Sequence, residues 1–325
     1  MSRDGPGQLY AEIVKGDTQV QAIAGIIAHM EPDVIALTDF DYDADALALG
    51  AFQAVLEEKG LSLPHAFAPL TNGGRPSGLD IDQDGRSGEP EDAIGYGRFW
   101  GDSGIAVLSR WPLTPTEVDI ETNWADVEGA EMPVTPHSAE LGQLPVSTSG
   151  HLTLSVTGPG GEFTVLTSAS TAPVFDGAED RNGYRNAAEL FLWRQKMQQV
   201  EGPFVLAFNA NLDPNDGEGW NTEIRDFLND PLIIDAEPIS QGAIGLADEG
   251  HLGPPELDTV DWPGPSPGNL RVSYVLPSRH WTVGAAGVFW PDPSDPFFEL
   301  LGNDQLAAGP HRLVWVDIEL IPQQE

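Results

Sequence analysis

The chain has 325 residues, 40% of them hydrophobic, with 9 Trp and 13 Phe, a formal net charge of −36 and no cysteine. That length can bury the core of one large α/β domain or two modest ones, while disulfides and thiolate metal sites are excluded. Three lysines and twelve arginines against 51 acids create a field that repels polyanions, which argues against nucleic acid as a partner. Acidic surfaces also occur in saline or calcium-rich surroundings with no partner implied. No apolar run approaches the roughly 18 residues of a membrane span, and the opening MSRDGPGQLY has no apolar signal core.

Val20, Ile23, Ile27 and Met30 recur at helical spacing, and the pattern stops before Pro32. Val34 to Leu37 predicts a buried strand that delivers Asp39, Asp41 and Asp43 at its C-terminal end. Leu47, Phe52, Val55 and Leu56 mark a second amphipathic helix. Residues 70–100 are rich in Gly, Pro and Asp and predict a long functional loop. Ile105 to Leu108 is a strand, and about 112 to 150 reads as irregular and polar.

Alternation returns at His151–Val156 and Phe163–Leu166, followed by a helix near 186–199 and a strand at Phe204–Leu206. A further helix near 221–229 precedes strands at Leu270–Val275, Val283–Phe289 and Leu313–Leu320. Interspersed helices, more numerous strands and no internal linker predict one sheet-on-sheet domain over 1–325 with helices outside.

Within the long loop, Asp80, Asp82 and Asp84 occupy positions 1, 3 and 5 of a DxDxDG motif. Those carboxylates converge on one point, Gly85 permits the sharp turn, and Arg86 offers its backbone carbonyl at position 7. Glu91 at position 12, or the adjacent Asp92, can close a Ca²⁺ shell; the alternative is an acidic surface turn. Arg181, Asn182, Arg185 and Asn186 offer donors to an anionic substrate, or equally cap a helix and pair with acids. Asp258 and Asp261 suit loop metal ligands or a turn before Pro263. His151, on an alternating strand, reads as a satisfied structural histidine.

Six segments carry a resemblance, in a consistent order: PDVIALTDFDYD, GDSGIAVLSRWP, PVFDGAEDRNGYRN, AFNANLDP, LRVSYVLPS and GPHRLVWVDIEL. Together they resemble the endonuclease/exonuclease/phosphatase (DNase I-like) superfamily of metal-dependent phosphoesterases, in a bacterial branch. The resemblance implies an α+β, four-layer αββα sandwich with the site at strand ends, where Asp39, Asn209, Asn211, Ser273 and His311 converge. It also implies Mg²⁺ or Mn²⁺ at that site and a small or lipid-like phosphorylated ligand.

The chain departs from the pattern where the chemistry lies. Asp39 stands for a glutamate metal ligand, Asn209 for the motif's aspartate and Ser273 for a supporting aspartate. Ala169 stands for a histidine and Pro310 for an aspartate, while Asn211 and His311 are kept. Asn209 can hold a water but cannot take its proton. The expectation is a calcium-bound relative with a degraded site, non-catalytic or weakly active. The alternative is a divalent-metal phosphomonoesterase or phosphodiesterase with a rearranged site. The family's first central strand precedes the segment that SRDGPG matches; its expected absence would leave two strand edges open. A truncated start would also leave a periplasmic or secreted location open.

Overall fold

The structure, a computed structural model, describes residues 1–246, 250–263 and 267–321. Two helices come first, α1 (Gln8–Lys15) and α2 (Thr18–Met30), parted by Gly16 at φ 77°. The carboxylate of Asp17 caps α2 by accepting the Val20 amide at 3.1 Å. The sequence pattern located α2; α1, which buries only Leu9 and Ile13, was not expected.

Strand β1 (Val34–Thr38) and helix α3 (Leu47–Glu58) follow, then β2 (His65–Phe67) and β3 (Ile105–Ser109). These strands form a sheet in the order β1-β3-β2, antiparallel throughout. Next come β4 (Leu113–Asp119), the short helix α4 (Ser138–Leu141), β5 (His151–Gly158), β6 (Gly161–Thr167), α5 (Arg181–Gln199), β7 (Phe204–Asn209) and α6 (Asn221–Leu228). The chain closes with the ribbon β8 (Val260–Asp261) and β9 (Asn269–Leu270), then β10 (Ser273–Pro277) and the pair β11 (Trp281–Val288) and β12 (Val314–Leu320). The second sheet runs β10-β7-β6-β5-β4, with only β6 and β7 parallel.

Alternation along the strands builds the layers. Ala106 and Leu108 of β3 pack on α1–α3, while Ile105 and Val107 face Leu152 and Leu154 of the second sheet. On the far side, Leu206 and Phe208 of β7 meet Trp193 of α5 and Phe227 of α6. Helices, two sheets and helices therefore stack as the αββα sandwich that the motifs implied. Among the described residues no helix is long and apolar enough to cross a membrane.

Three local expectations change. The stretch after residue 112 contains β4, whose central residues are exposed and whose register shifts at Pro115. An edge strand with one solvent-facing side tolerates proline and polar residues, so its composition hides it. The expected strand Leu270–Val275 is divided between β9 and β10, because the Arg271 amide turns to Asp213 and those of Val272 and Ser273 to the Thr259 hydroxyl. Helix α5 begins at Arg181, ahead of the expected start near 186.

His151 is fully buried, with Nδ1 2.7 Å from the Ser147 hydroxyl and Nε2 3.1 Å from the Glu189 carbonyl. A ring donating from Nε2 and accepting at Nδ1 satisfies both contacts in the neutral form. Burial depresses its pKa to about 4. The unfolded chain therefore binds this proton first as pH falls, so the contribution is complete above about pH 6.5 and lost towards pH 4. Urea unfolding of the chain against His151→Gln should show a variant whose acid limb over that window is shallower by about 3 kcal/mol.

Candidate active site

Five of the six segments meet at one groove, and PVFDGAEDRNGYRN lies outside it. Asp39 at the end of β1, Asn209 at the end of β7, Ser273 at the start of β10, and Pro310 and His311 before β12 all line it. Three pairings hold these strand ends together. Ser273 lies opposite Asn209 in the β7–β10 ladder, Ala169 bridges to Asn209, and Val260 bridges to His311.

The asparagines are tied to each other. Asn209 Nδ2 donates to Asn211 Oδ1 at 3.0 Å, and the Asn211 amide donates back to Asn209 Oδ1 at 3.0 Å. Asn211 Nδ2 also donates to the Ser170 carbonyl at 2.6 Å. Asn211 adopts φ 51°, a left-handed conformation asparagine tolerates better than most residues. Both carboxamides thus brace the turn. Neither offers a proton acceptor strong enough to activate water, and Ala169 presents only a methyl group beside them.

At the other side of the groove stands an acidic group. Asp39 is exposed at φ 57°, and Phe40 behind it is buried in the core. Asp41 is buried and accepts the Arg3 amide at 2.8 Å and the Ser103 amide at 3.2 Å. Burial raises its pKa to about 6; the Ser103 amide opposes that rise and nearby Asp102 adds to it. Met1 lines the groove with Asp39.

His311 is edge-on to Trp262, with ring centroids 5.1 Å apart. Burial lowers its pKa, and Asp39 partly restores it. The backbone around it is fixed: the Pro310 carbonyl accepts the Asp261 amide at 3.0 Å, and the Arg312 amide donates to the Thr259 carbonyl at 2.8 Å. Asp261 also faces Arg312 at 3.5 Å, and Asp258 lies 3.6 Å from Nε2 of His251. Asp41 and Asp102 are buried near Asp39 and do not line the groove, and this buried acidic pair was not anticipated.

Arg181, Asn182 and Arg185 do not line the groove. Arg181 is buried and donates to the Ile81 carbonyl at 2.8 Å; Arg185 is buried and donates to the Val146 and Pro145 carbonyls at 2.9 and 2.6 Å. Asn182 donates to the Val174 carbonyl at 2.7 Å. These donors hold the start of α5 against neighbouring loops through backbone carbonyls, and the expected side-chain cap of that helix is not made.

Asp80, Asp82 and Asp84 bring one oxygen each within 4.8 Å of one another, the one such acidic or histidine group among the described residues. The Gly85 amide donates to Asp80 Oδ2 at 3.1 Å, and Oδ1 of Asp80 is buried without a partner. The Arg86 amide donates to Asp84 Oδ1 at 2.8 Å. Asp92 is used otherwise: its oxygens accept the amides of Ile81, Gly88 and Glu89 and close the loop. Glu91 is exposed and outside the cluster. No residue of this loop lines the groove.

The endonuclease/exonuclease/phosphatase family pattern matches residues 10–295. No curated protein sequence matches the chain. Its fold resembles that of an endonuclease/exonuclease/phosphatase from Beutenbergia cavernae, with 19% identity, a TM-score of 0.56, and coverage of 93% of this chain and 66% of the other. The chain thus spans just under two thirds of that protein. An endonuclease/exonuclease/phosphatase from Bacteroides vulgatus is similar at 12% identity and TM-score 0.50, covering 94% of this chain and 91% of that one. With the motifs, the stacked layers and the matched span in agreement, the chain belongs to the endonuclease/exonuclease/phosphatase family.

Proposed function

We propose that this chain is a catalytically impaired member of its family that binds Ca²⁺ at the 80–86 loop. The observation that carries the first half is the mutual hydrogen bonding of Asn209 and Asn211 at the position where phosphoester hydrolysis needs a proton acceptor. A hard divalent ion prefers several carboxylate oxygens, whereas Asn209 and Ser273 are neutral and Asp41 is engaged by two amides. These residues fit Mg²⁺ or Mn²⁺ poorly, so no step is routed through such an ion. The test is hydrolysis of an aryl phosphodiester and monoester with Mg²⁺, Mn²⁺ or Ca²⁺. Metal-dependent turnover that Asn211→Ala abolishes overturns the impaired reading.

The loop fits calcium better. Three converging carboxylates and an orphaned buried oxygen on Asp80 are the donor set of a hard cation, with the Arg86 carbonyl beside them. The ion would order the loop and, through the Ile81–Arg181 bond, the start of α5. Ca²⁺ at about 100 times its Kd should raise unfolding stability by about 2.7 kcal/mol. Calorimetry should show that gain in the chain and its loss in Asp80→Asn with Asp82→Asn. Equal melting with and without Ca²⁺ refutes the site.

A second reading has one specific support. Asp41, with its pKa near 6 and with Asp39 and Asp102 close by, lies in the range of a general acid–base at neutral pH. On this reading the chain hydrolyses a small or lipid-like phosphate through a rearranged acidic site, and Asp41→Asn removes the activity.

A further inference from the structure

Arg181 carries a donor that its brace on α5 does not use. The residue is 8% exposed. Among the described residues its Nη1 donates to the Ile81 carbonyl at 2.8 Å and its Nε to the Asn182 carboxamide oxygen at 3.4 Å. Neither partner is an acid, and Nη2 has no partner among these residues. A buried guanidinium without a counter-charge is unfavourable in a folded protein. This one lines a surface pocket of about 370 Å³ between the 80–86 loop and the segment ahead of α5. The pocket shares no lining residue with the groove.

Three carboxylates line the pocket with Arg181: Asp82, Asp176 and Glu179. Each has one oxygen held by a backbone amide. Asp82 Oδ1 accepts from Asp84 at 3.2 Å, Asp176 Oδ2 from Asn182 at 2.5 Å, and Glu179 Oε1 from Gly177 at 3.3 Å. Those bonds fix the carboxylates, and the second oxygen of each has no hydrogen bond among the described residues. The remaining wall includes Phe175, 92% exposed at φ 66°, a backbone conformation that bulky residues rarely adopt.

Opposite charges that share a pocket without pairing define what it takes. A plain anion meets three carboxylates, and a plain cation meets the guanidinium. A molecule carrying both charges satisfies both sets: its carboxylate accepts from Nη2, and its ammonium donates to the open carboxylate oxygens. The volume lies at the lower end of the roughly 300–1,000 Å³ of small-molecule pockets, so the ligand is small. The bare ring of Phe175 favours an apolar side chain on it. We propose that this pocket binds a small zwitterion, a free α-amino acid with an apolar side chain, at a site separate from the groove.

The probe is L-leucine, titrated calorimetrically into the full chain, once with Ca²⁺ and once with EDTA because the pocket borders the 80–86 loop. L-Leucinamide, which lacks the carboxylate, and isocaproate, which lacks the ammonium, accompany it. L-Leucine should bind saturably, and each analogue about tenfold or more weakly, since each loses one set of charge-assisted bonds. The backbone amide resonances of Gly177 and Arg181 should shift with the same midpoint. Glu179→Gln keeps an acceptor for the Gly177 amide, so it preserves the local fold, and should weaken L-leucine about tenfold. Arg181→Lys keeps the charge but loses the planar fork and should do the same.

Equal binding of L-leucinamide means a cation patch, and equal binding of isocaproate means an anion site; either overturns the proposal. Unchanged affinity in Glu179→Gln, or resonance shifts confined to residues outside the pocket, overturns it too. Absence of L-leucine binding in both buffers does the same. Melting that Ca²⁺ leaves unchanged refutes the ion at the loop, while L-leucine binding with EDTA still supports the pocket.

Discussion

The combined variant Ala169→His, Asn209→Asp, Ser273→Asp and Pro310→Asp is expected to hydrolyse an aryl phosphodiester with Mg²⁺ or Mn²⁺ at least about 100-fold faster than the unmodified chain. A positioned general base or acid contributes about 10²- to 10⁴-fold, and the unmodified groove has none at Asn209. Residues that act as a unit are strongly non-additive, so each single substitution should recover almost nothing. The β7–β10 register supplies a second readout. Asn209 and Ser273 lie directly opposite, so two aspartates there repel until a cation bridges them. The combined variant should therefore melt lower than the parent without metal and gain stability when Mg²⁺ or Mn²⁺ is added. Metal-linked stabilisation without turnover would separate a rebuilt ion site from rebuilt chemistry. Turnover already present in the parent would contradict the impaired reading.

Arg185→Ala should destabilise the chain by about 3 kcal/mol in urea unfolding at neutral pH and leave inorganic phosphate binding unchanged. The guanidinium donates to two carbonyls and lies over Trp124, 5.8 Å from the ring centroid. Burial lowers its pKa only to about 10, so it remains charged at neutral pH. One turn along α5, Glu189 is fully buried and accepts the Thr148 and Thr171 amides at 2.9 and 2.6 Å. Burial raises its pKa and Arg185 opposes that rise. Without Arg185 the buried carboxylate loses its nearby positive charge and favours its protonated form. Its folded pKa is then raised further above the unfolded one, so stability is lost as pH rises and regained as it falls. The deficit should shrink from pH 7 towards the ordinary carboxylate range. A variant that folds normally but loses phosphate affinity would restore the substrate-binding role.

How much was legible depended on whether the signal was local. The apolar runs of β1, β3 and β7 and the helical spacing in α2 and α3 are properties of a few neighbouring residues, and each element lies where its pattern predicted. Strand β4 escaped because its exposed residues and Pro115 are tolerated only through its place at a sheet edge. Arg181 and Arg185 were ambiguous for the same reason. An arginine at a helix start suits a ligand or a nearby acid equally, and the carbonyls of residues 81 and 145–146 that these two meet are set by packing.

The sequence by itself determined the family, the layered architecture and the substituted chemistry of the groove. Those follow from residue identity at motif positions: no fold makes Asn209 a proton acceptor or Ala169 a base. It also determined the DxDxDG loop, whose ligand spacing is written in consecutive residues. Only the tertiary structure decided that Asn209 and Asn211 bind each other, and that Asp41 is buried near Asp102. Only it could bring residues of β1 and β12 to one groove. Hydrogen-bond pairing, burial and charge proximity depend on how distant segments pack, and no local pattern encodes which partner a backbone group or a carboxylate will meet.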